Sequence, residues 1–152
     1  MSELPKTIII GSDHAGYQLK EEIKKYFEEN NKNIKVMDYG THSGDRCDYP
    51  DIAGKVSEAV LKEADSKGIL ICGSGIGISI AANKINGIRC ALCHNEYTAE
   101  MARKHNDANI LAMGQRVLEG DMPIKIVKTF FANTFEGNQH KTRVDKIHQL
   151  EN

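Results

Sequence analysis

Ile69-Leu70-Ile71-Cys72-Gly73-Ser74-Gly75-Ile76-Gly77 is the stretch whose reading settles the fold. An unbroken apolar run ends in a segment with glycine at every second position. A strand that is apolar on both faces is covered on both faces, and such strands belong to parallel sheets. The glycines let the chain turn tightly. Ile76, Ile80, Ala81 and Lys84 then continue at helical spacing. Strand, glycine turn and helix together make half of a βαβ unit.

Outward from this stretch the same two patterns alternate. Upstream, Thr7-Ile8-Ile9-Ile10-Gly11 reads as a strand, and Leu19, Ile23, Tyr26 and Phe27 recur at helical spacing. Ile34 to Tyr39 is a second strand. Ile52, Val56, Ala59, Val60 and Ala64 mark a helix with Pro50 near its start, where proline is tolerated. Downstream, Ile88 to Cys93 is a fourth strand, and Asn95 caps a helix through Ala99, Ala102 and Arg103. Asn109 to Met113 is a fifth strand. A helix after Asp121 and Pro123 buries Ile124, Val127, Phe130 and Phe131, and His140 to Leu150 is a polar helix with a thin apolar stripe. This order predicts an α/β protein: a three-layer α/β/α sandwich on a five-stranded parallel sheet, Rossmann- or flavodoxin-like. Residues 1–152 are one domain's worth of chain, with no repeat, low-complexity run or linker. The thin stripe of the last helix, about residues 140–150, is expected to pack on a partner subunit.

Composition narrows the function. Lys plus Arg is 20 and Asp plus Glu is 21, a formal net charge of -1. No nucleic-acid partner is expected from that balance, since such a surface needs a basic excess. No membrane partner is expected either, because no run approaches the ~20 apolar residues of a span. The start, Met1 to Lys6, lacks the basic segment and cleavage region of a secretory signal, so a cytoplasmic location is expected. In that compartment Cys47, Cys72, Cys90 and Cys93 stay reduced. Cys90 and Cys93 fall in an apolar strand and read as small buried hydrophobes. No pair of histidines has metal-ligand spacing, and neither a metal nor a cofactor is expected.

Open parallel sheets bind ligands beyond the carboxyl ends of their strands. The segments there are Ser12-Asp13-His14, Thr41 to Asp51, Cys72 to Gly77, His94-Asn95 and Gly114-Gln115-Arg116. The irregular stretch from Gly40 to Tyr49 is long enough to be a binding loop. The Cys72 loop is the most informative. Its amides and the helix start favour an anion, and the same field favours the thiolate form of a thiol. Cys72 is therefore a candidate base or nucleophile; the alternative is a buried cysteine closing a core strand. Glycines at 73, 75 and 77, after the third strand, do not make a dinucleotide fingerprint, and no Gly-Lys-Ser/Thr ends the loop as a P-loop requires. A cysteine phosphatase loop would want Arg where Ile78 stands, and a receiver domain Asp where Cys72 stands. His14 and His105 are candidates for acid/base or binding work, against an ordinary loop role for each. Helix capping accounts for Asp48 and Asp51. Arg116 and Arg143 are candidate phosphate ligands or solvated surface residues.

Gly11-Ser12-Asp13-His14-Ala15-Gly16, Asp48-Tyr49-Pro50, Cys72-Gly73-Ser74-Gly75-Ile76-Gly77-Ile78-Ser79-Ile80-Ala81-Ala82-Asn83-Lys84, His105-Asn106-Asp107-Ala108-Asn109 and Gly114-Gln115-Arg116-Val117 resemble the type B ribose-5-phosphate isomerase family, which includes the galactose-6-phosphate isomerase subunits. The resemblance runs from about residue 7 to 150. It implies a metal-free aldose–ketose isomerase that interconverts ribose 5-phosphate and ribulose 5-phosphate, in the non-oxidative pentose phosphate pathway. By the resemblance, His105 opens the sugar ring with help from Asp13, and Cys72 as thiolate moves the proton between C2 and C1. The Gly73, Gly75 and Gly77 amides and the Ser74 hydroxyl hold the oxyanion. Tyr49 lines the sugar channel, Asn106 binds a hydroxyl, and His14, Arg116 and Arg143 hold the phosphate. The family pairs its chains, so a homodimer or a tetramer with shared sites is implied, with the segment around His105 and Arg116 serving a neighbour's Cys72.

Three positions depart from the family's usual residues. Ser74 stands where Thr is common, which keeps the hydroxyl. Ile78 stands where members lacking the cysteine carry a Glu base, which makes this the cysteine version. Gln139 stands where many members carry a phosphate-binding Arg; His140, Lys141 and Arg143 are near it. Two alternatives remain: the same chemistry on allose 6-phosphate or galactose 6-phosphate, and a non-catalytic sugar-phosphate or nucleotide module.

Overall fold

A computed structural model describes residues 4–152. Residues 1–3 of the start read for a secretory signal lie outside the described residues. Five strands, β1 (Thr7–Ser12), β2 (Lys35–Asp38), β3 (Ser66–Cys72), β4 (Cys90–Leu92) and β5 (Ile110–Gly114), form one sheet in the order β2-β1-β3-β5-β4. Every pairing is parallel. The helices are α1 (Tyr17–Asn30), α2 (Tyr49–Lys62), α3 (Ile76–Ala82), α4 (Glu96–Lys104), α5 (Met122–Ala132) and α6 (Gln139–Gln149).

The expected sandwich is what forms. Ile8, Ile10, Ile69, Ile71, Leu111 and Met113 meet Leu19, Ile23, Phe27, Ala102, Val127 and Phe130 of α1, α4 and α5 in one buried layer. On the opposite face, Ile9, Leu70, Ile110 and Ala112 meet Ile52, Val56 and Val60 of α2 and Ile78 and Ala82 of α3. The central strands are apolar in both directions because both layers claim them. The order departs from the flavodoxin pattern in its last two strands: β4 lies at the edge and β5 inserts between it and β3. That detail has no signature in periodicity. It brings the loop after β5 directly beside the loop after β3.

Several boundaries differ from expectation for local reasons. Pro50 sits in the first turn of α2, which begins at Tyr49 and ends at Lys62, before Ala64. Asn95 accepts the Thr98 amide in a capping box, as its position predicts for α4. In α3 the buried residues are Ile78, Ser79 and Ala82, while Ile76 and Ile80 are 52% and 57% exposed. The apolar stripe thus overfills what one chain can cover. Cys93 is buried and Cys90 half-buried, and all four thiols are free. Burial pushes both of these thiols up, Cys93 to about 11, as suits packing residues rather than reactive ones.

The C-terminal helix is tied to its own chain more firmly than its polar sequence predicts. His148 Nε2 meets Arg89 Nη1 at 2.6 Å, and Glu151 accepts the Gly87 amide at 3.0 Å. Val144 is its buried apolar residue, while Ile147 and Leu150 stay exposed. Among the described residues, no helix is long and apolar enough to cross a membrane.

Candidate active site

β1 and β2 run off to one side of the sheet and β3 to the other, so the chain reverses direction between β1 and β3. Loops diverge at such a point and leave a crevice at the carboxyl ends of the strands. Here the crevice has a volume of about 510 Å³ and is lined by Asp13, His14, Tyr49, Cys72, Gly73, Ser74, Gly77 and Arg116, among others. Four of the five strand-end segments singled out in the sequence lie near it or supply it.

Cys72 is the last residue of β3 and is only 4% exposed, yet its side chain lines the crevice. The Gly75 amide donates to its Sγ at 3.2 Å. Gly75 adopts φ +80°, a conformation costly for any other residue, and a methyl group there would meet Leu92 and the backbone at Met113. The sulfur therefore has its donor because position 75 is glycine. This corrects the expectation that the Gly75 amide is kept for the substrate. Ser74 Oγ similarly accepts the Ile76 amide at 3.1 Å. Gly77 has a different reason again: a Cβ there would lie 2.5 Å from Tyr49 Cζ, so its missing side chain is the space the Tyr49 ring occupies.

Asp13 is buried. Its Oδ1 accepts the Ala15 and Gly16 amides, capping the short 3-10 turn His14–Gly16, while Oδ2 takes no hydrogen bond among the described residues. His14 Nδ1 accepts the Cys47 amide at 3.3 Å. In the neutral ring this puts the proton on Nε2, which makes that nitrogen a donor. It also ties the loop between β2 and α2 to the crevice. That loop is anchored from beneath by Lys20, whose ammonium is fully buried and binds Asp38 Oδ2 at 2.5 Å and the Thr41 carbonyl at 2.7 Å. Lys24 adds a second cation to Asp38 at 2.8 Å. Sequence reading missed this pair. A lysine at helical spacing looks like a solvated surface residue unless the partner strand is known.

Arg116 follows β5. Its amide donates to the Gly73 carbonyl at 2.9 Å, and the Gln115 amide to the Cys72 carbonyl at 3.0 Å. Its guanidinium lies over Gly73, where a Cβ would come within 3.2 Å of Nη1. Arg116 thus stands beside Cys72 of its own chain, which corrects the expectation that it serves a neighbour. It pairs with no carboxylate among the described residues.

His105, Asn106 and Arg143 do not line the crevice. His105 closes α4, Asn106 follows it, and Arg143 is exposed on α6. Near them Glu136 and His140 gather around His105, with the two imidazole rings stacked at 4.0 Å. Within one chain the sequence-derived set therefore divides. Asp13, His14, Tyr49, Cys72, Gly73, Ser74, Gly75, Gly77 and Arg116 are together; His105, Asn106 and Arg143 are elsewhere.

A buried sulfur with an amide donor, an arginine with no carboxylate partner among the described residues and a histidine N–H around one crevice define an α/β enzyme site suited to a small anionic substrate. The Ribose/Galactose Isomerase family model matches residues 8–147. Ribose-5-phosphate isomerase B of Escherichia coli K12 is 44% identical over 146 residues, covering 96% of this chain and 97% of that one. The solved Ribose-5-Phosphate Isomerase B of Clostridium thermocellum superposes with a TM-score of 0.91 at 51% identity, covering 95% and 96% of the two chains. YwlF of Bacillus subtilis, 45% identical over 145 residues and covering 95% and 96%, bears a name that goes no further than sugar phosphate isomerase. The chain belongs to the ribose/galactose isomerase family and is an isomerase.

Proposed function

We propose that this isomerase interconverts D-ribose 5-phosphate and D-ribulose 5-phosphate with Cys72 as the base. The observation that carries the reading is the Cys72 sulfur, which takes the Gly75 amide at the wall of the crevice. A thiolate there removes the proton from C2 of the opened sugar. The C–H electrons form the C1–C2 double bond, and negative charge moves onto O1. The O2 proton passes to O1, and C1 takes a proton back from Cys72, which leaves the ketose. The Ser74 hydroxyl and the Gly73 and Gly77 amides steady the developing oxyanion, and donors of this kind are each worth about 3–4 kcal/mol in other enzymes. His14 Nε2–H and Arg116 offer a hydrogen bond and a charge to the phosphate. Tyr49 bounds the sugar channel.

Ring opening needs an acid/base near the sugar oxygens. Asp13 Oδ2 is available inside the crevice, and His105, with Asn106 and Arg143, is contributed by a second copy of the chain. Exposed apolar residues support this pairing: Ile76 and Val117 line the crevice, and Ile80 lies one turn beyond Ile76 on α3. The enzyme acts as a homodimer or a larger even assembly in the cytoplasm, without a metal in its chemistry.

Ribose 5-phosphate in deuterated water tests the proposal. The wild type incorporates solvent deuterium into the sugar, and Cys72→Ala folds normally but isomerises about 10²–10⁴-fold more slowly. Retention of most of the rate by Cys72→Ala excludes the thiolate base. Faster turnover on allose 6-phosphate or galactose 6-phosphate moves the assignment to a six-carbon sugar. Binding without deuterium entry makes the protein a non-catalytic module.

A further inference from the structure

His105 and Asn106 stand where the chain leaves α4 and turns toward β5. The turn runs through Asp107, a non-glycine residue at φ +48°. Such a conformation persists only where the surroundings hold it. Two arginines do so. Arg103 reaches the Asp107 carboxylate at 2.9 Å and the Ala108 carbonyl at 2.7 Å. Arg89, just before β4, grips the other side. Its Nε donates to the Asn106 carbonyl at 3.1 Å and the Asp107 carbonyl at 3.0 Å, and its Nη2 donates to the Asp107 carbonyl at 2.8 Å.

The remaining edge of the Arg89 guanidinium belongs to the C-terminal end of the chain. Arginine has no acceptor atom, so the 2.6 Å contact between Nη1 and His148 Nε2 makes that nitrogen the acceptor and leaves the ring proton on Nδ1. Nδ1 in turn meets Glu151 Oε1. Glu151 Oε2 accepts the Gly87 amide at 3.0 Å, and the Asn152 carbonyl accepts from the Asn86 side chain at 2.8 Å. Hydrogen bonds therefore run unbroken from Glu151 through His148 and Arg89 to the turn that carries His105. Arg89, His148 and Glu151 all lie outside the crevice lining.

We infer that Arg89, clamped by His148 and Glu151, is a positioning residue for ring opening: it fixes the turn that presents His105 and Asn106 to a second copy of the chain. The inference rests on the proposed role of His105. Arg89 acts through the backbone of Asn106 and Asp107, the two residues after that histidine. The planar fork is what the place requires, because it spans the two carbonyls and His148 at once, whereas a lysine ammonium is a point donor.

Two assays on the full-length enzyme separate ring opening from proton transfer. Ribose 5-phosphate is a closed furanose and must open. Ribulose 5-phosphate carries its phosphate on O5 and stays open, so exchange of its C1 hydrogen in deuterated water calls on Cys72 without the ring step. At saturating sugar phosphate, Arg89→Lys lowers kcat for ribose 5-phosphate about 10–100-fold and leaves the C1 exchange within about twofold. His148→Ala gives the same split in smaller measure and serves if Arg89→Lys does not fold. His148→Gln, which keeps an acceptor where Nε2 stood, restores kcat. Equal losses in the two assays, or no loss in either, overturn the positioning role. A wild type that exchanges no deuterium refutes the proposed function instead. The amide NMR signals of His105 and Asn106 then decide the clamp: they shift in His148→Ala if it holds the turn, and signals that stay in place overturn it.

Discussion

At the scale of single residues, three glycines in one loop have three separate reasons to be glycine, and sequence spacing cannot tell them apart. Gly75 supplies a left-handed turn that aims an amide at Cys72, Gly73 lies beneath Arg116, and Gly77 makes room for the Tyr49 ring. Gly77 gives the sharpest test, because two effects oppose each other there. It lies in the first turn of α3, where alanine is the better helix former by up to about 1 kcal/mol. The added methyl also displaces the Tyr49 ring, a movable side-chain end at the surface. Gly77→Ala is therefore expected to keep or raise the melting temperature while KM for the sugar phosphate rises. The penalty on KM should vanish when Tyr49→Ala is already present. A double-mutant cycle in KM checks this, and independent effects of the two changes would refute the contact as the cause.

At the scale of elements, strands and helices were legible because each carries its own period, whereas the link between α1 and the loop after β2 was not. Lys20 is read as an exposed helix residue until β2 is placed beside β1 and delivers Asp38 to it. Likewise the crevice residues of β1, β3 and β5 follow from the rule for parallel sheets, but the exchange of β4 and β5 that puts Arg116 beside its own Cys72 needs three-dimensional pairing. The Lys20 anchor carries two predictions. Lys20→Met leaves the Thr41 carbonyl unpartnered, at a cost of about 1–3 kcal/mol, measured by urea unfolding. Lys24 still holds Asp38, so the protein remains folded. The second concerns acid. Burial pushes the Asp38 carboxyl up, but hydrogen bonds from Lys20 and Lys24 and from the Gly40 amide outweigh it and hold it below its ordinary value. The unfolded chain then binds this proton more readily than the folded one. The stabilisation is complete above the ordinary carboxyl value of about 3.9 and fades as pH falls below it toward the lower folded value. Asp38→Asn should lower stability at neutral pH and flatten its decline in acid; an unchanged acid slope would show that other carboxylates dominate.

At the scale of the whole molecule, one chain's crevice holds Cys72, His14 and Arg116, while His105, Asn106 and Arg143 lie outside it. The proposed two-fold pair would resolve this division, since an isologous interface would carry one copy's α4–α6 region to the other's β3 loop and do the same at the second site. Ile76 and Ile80, left more than half exposed one turn apart on α3, are the apolar surface such an interface would cover. The arrangement makes a quantitative prediction. Cys72→Ala and His105→Asn are each inactive alone, because every site in either homodimer lacks one of the two groups. Mixed, unfolded and refolded together in equal amounts, half of the dimers contain one chain of each kind. In such a dimer one site has lost both groups and the other has both, so the mixture recovers about a quarter of wild-type activity. If each crevice is completed by its own chain, every site in the mixed dimer still lacks one group and no activity returns. The refolded mixture, assayed with ribose 5-phosphate against each variant refolded alone, therefore separates a shared site from a self-contained one without any structure of the assembly.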